Sequence, residues 1–229
     1  MRKGASSAKD TVRRSVCAVN LNMNLPLAHL WLPATKPSQH VVVVLHGLGD
    51  SAEGYLWMQD AFGIDSLDYL LLTAPDSYYT GFSWYDIGAN SLPGIVRSRK
   101  LLGETFQVLK QSGYAPEHTF LFGFSQGCLM TMEFGARHTD RLAAYIGISG
   151  YTISPEALLQ ELNPAVNRGD WLITHGTQDE LLPISITRAQ VRTLKDGGFK
   201  IDYREYPKTH TVDPQRELPD IREWISARI

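Results

Sequence analysis

The sequence predicts an α/β fold with a mostly parallel central sheet and helices packed on both faces. Three observations carry this. Short runs of branched and aromatic residues recur along the chain: "HVVVVLH", "DYLLLTAP", "TFLFGF", "AAYIGISG" and "DWLITHG". Unbroken apolar runs of this length suit strands buried on both sides, as in a parallel sheet. Amphipathic stretches of helical length lie between them, and strand–helix alternation is the signature of helices covering both faces of such a sheet. Finally, 229 residues with 43% apolar and 20% charged side chains form a core large enough to need no disulfide or metal staple.

In chain order, residues 1–12 read as a mobile arm, and residues 13–229 as one domain without internal repeats or linkers. The only basic cluster, Arg2, Lys3, Lys9, Arg13 and Arg14, belongs to this solvated start. Ser15–Leu21 and Leu27–Leu32, joined by "NMNLP", read as a hairpin of edge strands. His40–Leu45 is the first buried strand. Helices are expected over Ile95–Lys110, Gln126–Arg137, Ile184–Leu194 and Pro214–Ala227, the last with Ile221, Trp224 and Ile225 on one face. "KIDYREYP" alternates in polarity and reads as a last strand near an edge. Only about 20 residues separate Ser149 from Trp171, too few for a large cap domain.

Several classes of function are excluded by composition. Net charge is −2 and Lys and Arg are scattered, which is no footprint for nucleic acid. The longest apolar runs are too short to span a bilayer. Arg2 and Lys3 are followed by "GASSAKDT" rather than an apolar signal segment. Cys17 and Cys128 sit in apolar surroundings and read as small buried hydrophobes, which fits a reducing cytoplasm. No feature specifies an oligomeric state.

In open parallel sheets the ligand site lies beyond the carboxyl ends of the strands. Chemistry is therefore sought directly after each apolar run. After "TFLFGF" comes Ser125, within Gly123-Phe-Ser-Gln-Gly127, a G-x-S-x-G pattern between a strand and a helix. Such a serine is held at the tip of a sharp turn, where a Cβ at either flanking position would collide with neighbouring chain. The turn presents Oγ and sets a helix N-terminus beneath it, so that backbone N–H groups face developing negative charge.

A serine needs a base, and the base needs an orienting carboxylate, in the chain order Ser, Asp or Glu, His. Of seven histidines, His29, His40 and His118 fall near strand starts or on an edge strand. His46 precedes the serine and fits as a support for its loop. His138 lies at the far end of the helix after Ser125, and His175 is upstream of the acidic loop. His210 follows the last strand and is the candidate base. "HGTQDELLP" offers Asp179 or Glu180, with Asp179 preferred. For the oxyanion, the Gln126 N–H needs a second donor, and the turn "HGLGD" offers the Leu48 N–H.

Together, "LHGLGDSAEGY", "SWYDI", "GFSQG", "HGTQDELLP" and the His210 loop resemble the acyl-protein thioesterase, lysophospholipase and small carboxylesterase family of α/β-hydrolases, over about residues 40–226. The resemblance implies Ser125 as nucleophile, Asp179 as orienting acid, His210 as base, and the Leu48 and Gln126 N–H groups as the oxyanion hole. It implies hydrolysis of carboxylic esters or thioesters of small or acylated substrates, with no cofactor and no metal. Trp84 and Tyr85 fall in a segment similar to one that lines the family's substrate groove; without that likeness they read as core or rim aromatics. Leu92 and Ile95 belong either to a loop near the groove or to packing. Two departures stand out: Cys128 after "GFSQG", and Thr209 where the base usually follows a glycine. The alternatives are lysophospholipid hydrolysis at the same site, a peptidase or dienelactone-type hydrolase, and a non-catalytic binding protein on this scaffold.

Overall fold

In a strand buried on both sides, successive side chains feed two different cores. The run His40–Leu45 does this: Val41, Val43 and Leu45 enter one apolar cluster, Val42 and Val44 the other. The computed structural model describes residues 23–164 and 169–229. The strands are β1 (His29–Leu32), β2 (His40–Leu45), β3 (Leu67–Leu72), β4 (Asp76–Tyr78), β5 (Gly81–Ser83), β6 (Thr119–Phe124), β7 (Ala144–Ile148), β8 (Asp170–Gly176) and β9 (Lys200–Tyr206). The helices are α1 (Met58–Phe62), α2 (Ser91–Gln111), α3 (Gln126–Gly135), α4 (Pro155–Gln160), α5 (Ile184–Asp196) and α6 (Glu217–Ser226).

Among the described residues, seven strands form the main sheet in the order β1-β3-β2-β6-β7-β8-β9. Only β1 runs antiparallel, against β3; all other pairs are parallel. The expected mostly parallel sheet is the one found, and the alternating "KIDYREY" strand lies at its edge. β4 and β5 make a separate two-stranded ribbon.

Helices cover both faces. Ile95, Leu102 and Phe106 of α2, Leu129 and Met132 of α3 and Val191 and Leu194 of α5 pack on one side. Met58 and Phe62 of α1 and Leu218, Ile221, Trp224 and Ile225 of α6 pack on the other. Between β7 and β8 the described chain carries one short helix, α4, and no large cap. No helix of the described residues is long and apolar enough to cross a membrane.

The arm over 1–12, the strand expected over Ser15–Leu21 and Cys17 lie outside the described residues. Of the expected hairpin, the second half survives as the shorter β1, paired with β3. α2 begins at Ser91, four residues before the expected start. Pro93 falls in its first turn, where a missing N–H costs nothing. α6 begins three residues later than expected, after a turn over 214–216.

Register is what assembles the site. Leu45 lies beside Gly123, Gly123 beside Gly147, Gly147 beside Ile173, and Gly176 beside Tyr206. The loops after β2, β6, β7, β8 and β9 therefore leave the sheet along a single rim.

Candidate active site

Ser125 sits between β6 and α3 with φ 53° and ψ −113°. A non-glycine residue at positive φ is strained by about 1–3 kcal/mol and persists only where its surroundings hold it. Here they do. The Ser125 N–H donates to the Ile148 carbonyl at 2.9 Å, and the Cys128 and Leu129 N–H groups return to the Ser125 carbonyl. A Cβ on Gly123 would meet the Gly127 carbonyl oxygen at 2.1 Å, and one on Gly127 would meet that of Leu45 at 2.1 Å. Both flanking glycines are thus required by backbone, as the spacing suggested. Cys128 is wholly buried beneath this turn, and burial pushes its thiol up to about 12. It packs, and it is unreactive.

The Ser125 Oγ lies 2.8 Å from His210 Nε2, and His210 Nδ1 lies 2.7 Å from Asp179 Oδ2. A carboxylate only accepts, so Nδ1 carries the proton and Nε2 is free to accept from the serine hydroxyl. Asp179 is buried, whereas its neighbour Glu180 is exposed. Burial alone would raise the Asp179 carboxyl. The Leu182 N–H, at 2.9 Å from Oδ1, and His210 together outweigh it and hold the group below the usual carboxylate range. His175 backs the same carboxylate: its Nε2 donates to the Leu182 carbonyl at 2.8 Å and stands 3.4 Å from Asp179 Oδ2. Burial lowers its pKa.

The other histidines are elsewhere. His40 and His118 pack ring to ring at the opposite end of the sheet, and His138 stacks on Phe134 beyond the end of α3. His46 is a buried support. Its Nε2 accepts from the Ala74 N–H at 3.0 Å while Nδ1 donates to the Gly47 carbonyl at 2.6 Å. Desolvation lowers its pKa, so it stays neutral and braces the turn that carries Leu48. Gln126 is the first residue of α3, so its N–H has no partner within the helix. The Leu48 N–H likewise has no backbone acceptor among the described residues.

The Gln126 side chain has a role that the motif did not announce. Its Oε1 accepts from the Trp84 N–H at 2.8 Å, and its Nε2 donates to the Tyr85 carbonyl at 2.8 Å. One buried amide thus fastens the Ser83–Tyr85 segment to the serine turn. This segment also corrects one expectation. Trp84 does not line the groove: it is fully buried, with its indole N–H donating to the His46 carbonyl at 3.0 Å. Tyr85, the next residue, is buried in the same apolar cluster but also lines the cleft. Ile95 belongs to the core, and Leu92 is exposed on α2 away from the cleft lining.

Two clefts meet at His210. One, of about 500 Å³, contains Ser125 and is walled mainly by Leu48, Tyr85, Ile87, Tyr151, Leu181 and Leu182. The other, of about 400 Å³, is bordered by Asp50, Tyr55, Trp57, Phe124, Val212 and Pro214. Two larger hollows, around Lys110, Pro116 and Asp140, lie at the far end of the sheet and hold none of this chemistry.

A strained serine in contact with an imidazole that is itself oriented by a buried carboxylate is an arrangement suited to acyl transfer. Comparison with known proteins agrees with that chemistry. The sequence model for phospholipase/carboxylesterase matches residues 32–229. An acyl-protein thioesterase 1 of Yarrowia lipolytica is 26% identical, over 89% of this chain and 98% of its own. Carboxylesterase SOBER1 of Arabidopsis thaliana is 25% identical, over 82% of this chain and 90% of its own. For the fold alone, the crystal structure of esterase PE8 superposes with a TM-score of 0.79 at 24% identity, covering 89% of this chain and 99% of that one. The chain belongs to the phospholipase/carboxylesterase family.

Proposed function

We propose that this protein hydrolyses carboxylic esters and thioesters through an acyl-enzyme on Ser125. The observation that carries the reading is the unbroken contact from Ser125 Oγ through His210 to Asp179. His210 Nε2 takes the hydroxyl proton as Oγ attacks the carbonyl carbon. The oxyanion is received by the Leu48 and Gln126 N–H groups, each contributing about 3 kcal/mol to lowering the barrier. Collapse breaks the bond to the leaving oxygen or sulfur, which departs with the proton held on His210. Water, deprotonated by the same imidazole, then releases the acid and restores the serine. Side chains, backbone N–H groups and water serve every step, so the mechanism calls for no cofactor.

The acyl group occupies the larger cleft. Its walls are mostly apolar, and about 500 Å³ exceeds what acetate needs. The leaving group lies toward the second cleft, beside Trp57 and Val212, because His210 must protonate it and borders both. Both clefts are open, so a bulky leaving group, such as the thiol of a protein or the glycerophospho headgroup of a lysophospholipid, has room to depart. The buried Cys128 thiol suits a reducing compartment such as the cytoplasm.

A panel of p-nitrophenyl esters and acyl thioesters from acetyl to palmitoyl tests this, with Ser125→Ala as the control. The expected result is turnover extending beyond acetyl and abolished by Ser125→Ala. Activity unchanged in Ser125→Ala would refute the nucleophile, and refusal of everything longer than acetyl would refute the acyl cleft.

A further inference from the structure

In the loop that carries His210, Thr209 stands directly before the base. Directly before it is a lysine that the proposed chemistry does not use. Lys208 is buried, its side chain 3% exposed, and its Nζ stands 2.7 Å from Oε2 of Glu217, whose side chain is fully buried. A buried ion pair is a weak source of stability, because two charges must be stripped of water. The pair here stands at a junction. Lys208 Nζ also donates to the Thr211 carbonyl at 2.7 Å and to Ser149 Oγ at 3.1 Å. Glu217 accepts from the Thr174 hydroxyl at 2.5 Å and from the Asp213 N–H at 2.9 Å. The Gln178 N–H donates to the Lys208 carbonyl at 3.1 Å, which links the His210 loop to the Asp179 loop.

These contacts join four elements behind the imidazole: the ends of β7 and β8, the loop after β9, and the first residue of α6. His210 lies between two of the tethered points, the backbone of Lys208 and the Thr211 carbonyl. Gly176 is part of the same fit, since a Cβ there would meet the Lys208 carbonyl oxygen at 2.3 Å.

We propose that the buried Lys208–Glu217 pair is a positioning device that fixes the His210 loop so that its imidazole bridges Ser125 and Asp179. Lys208 touches no reacting atom and acts only through the loop it holds. The inference rests on the hydrolase reading above. If the wild-type protein turns over no ester or thioester, that reading fails first; this inference fails separately, against an active wild type.

The test uses Lys208→Met, Glu217→Gln and the double variant on a p-nitrophenyl ester, each read for kcat, KM and melting temperature. A lone buried charge is destabilising, whereas neutralising both partners is tolerated. Lys208→Met is expected to melt several degrees lower and to lose roughly ten- to a hundredfold in kcat with KM within threefold, because a loop displaced by about 1 Å costs rate and not ground-state binding. The double variant is expected to regain most of its melting temperature while kcat stays at least about tenfold down. Recovery of kcat together with melting temperature would reduce the pair to a stability element and overturn the proposal. Wild-type kcat in Lys208→Met would overturn it as well. If Lys208→Met does not fold, the isosteric Glu217→Gln decides: a loss of about tenfold in kcat at unchanged KM supports positioning, and an unchanged kcat refutes it.

Discussion

The same substitution, glycine to alanine, should have opposite effects at two helical positions of this protein. At Gly127, in the first turn of α3, an added Cβ would lie 2.1 Å from the Leu45 carbonyl oxygen and 2.8 Å from that of His46. Both are backbone atoms at the end of β2, so no side chain can swing aside. Real Cβ contacts essentially never fall below 3.0 Å. The helix and strand must therefore part by about 1 Å, at a cost of about 3 kcal/mol, the upper end for overpacking. That shift also moves Ser125 and Gln126 relative to Leu48, and misplacement on this scale costs about a hundredfold in rate. At Gly103, within α2, the nearest atom to an added Cβ is the Phe134 ring at 4.0 Å. Alanine there should stabilise the protein by about 0.5–1 kcal/mol through helix propensity alone. Urea denaturation, with ester turnover at a temperature where both variants are folded, reads the two effects. If Gly127→Ala unfolds within about 1 kcal/mol of wild type and keeps its kcat, the tight-turn reasoning is wrong.

Asp179→Asn should fold, yet lose kcat by about 10,000-fold, because an amide no longer enforces the Nδ1–H form of His210; a loss under tenfold would assign the orientation to another group. Stability should fall as pH drops below about 6.5, because unfolded histidine takes up a proton there while buried, neutral His46 and His175 resist it. Each contributes a slope of at most about 1.4 kcal/mol per pH unit. His46→Gln, although less stable at pH 7, should flatten that slope, and an unchanged slope would remove His46 from the explanation. Trp57→Ala should reduce the preference for aryl over methyl leaving groups about three- to tenfold and leave acyl-length preference alone; the reverse pattern would exchange the roles of the two clefts.

Much of the fold could be read from the chain because its strands are continuous apolar runs, and such runs are buried wherever the sheet places them. The candidate site was legible where local backbone demands fix residue type. Gly123 and Gly127 flank Ser125 because the turn admits no Cβ, and that constraint travels with the motif. His210 could be singled out by chain order and position at a strand end, without knowing its loop. What escaped depends on where distant side chains meet. Gln126 reads as an anonymous residue of the motif, yet its amide fastens a segment some forty positions away. Trp84 and Tyr85 are adjacent in an irregular stretch just past β5, so no strand alternation tells which of them reaches the cleft. The Lys208–Glu217 pair was invisible for the same reason: a lysine beside a loop reads as solvated until α6 closes over it. The start of α2 was hidden by Pro93 and Gly94, which signal a break along the chain but sit in its first turn.

Fluorophosphonate labelling with peptide mapping addresses the central claim most directly, since the probe reacts only with a serine whose proton a neighbouring base can take. The expected result is one label per chain, on Ser125, lost in His210→Ala while circular dichroism stays that of the wild type. A folded protein that takes no label, or takes it at another serine, would contradict the account.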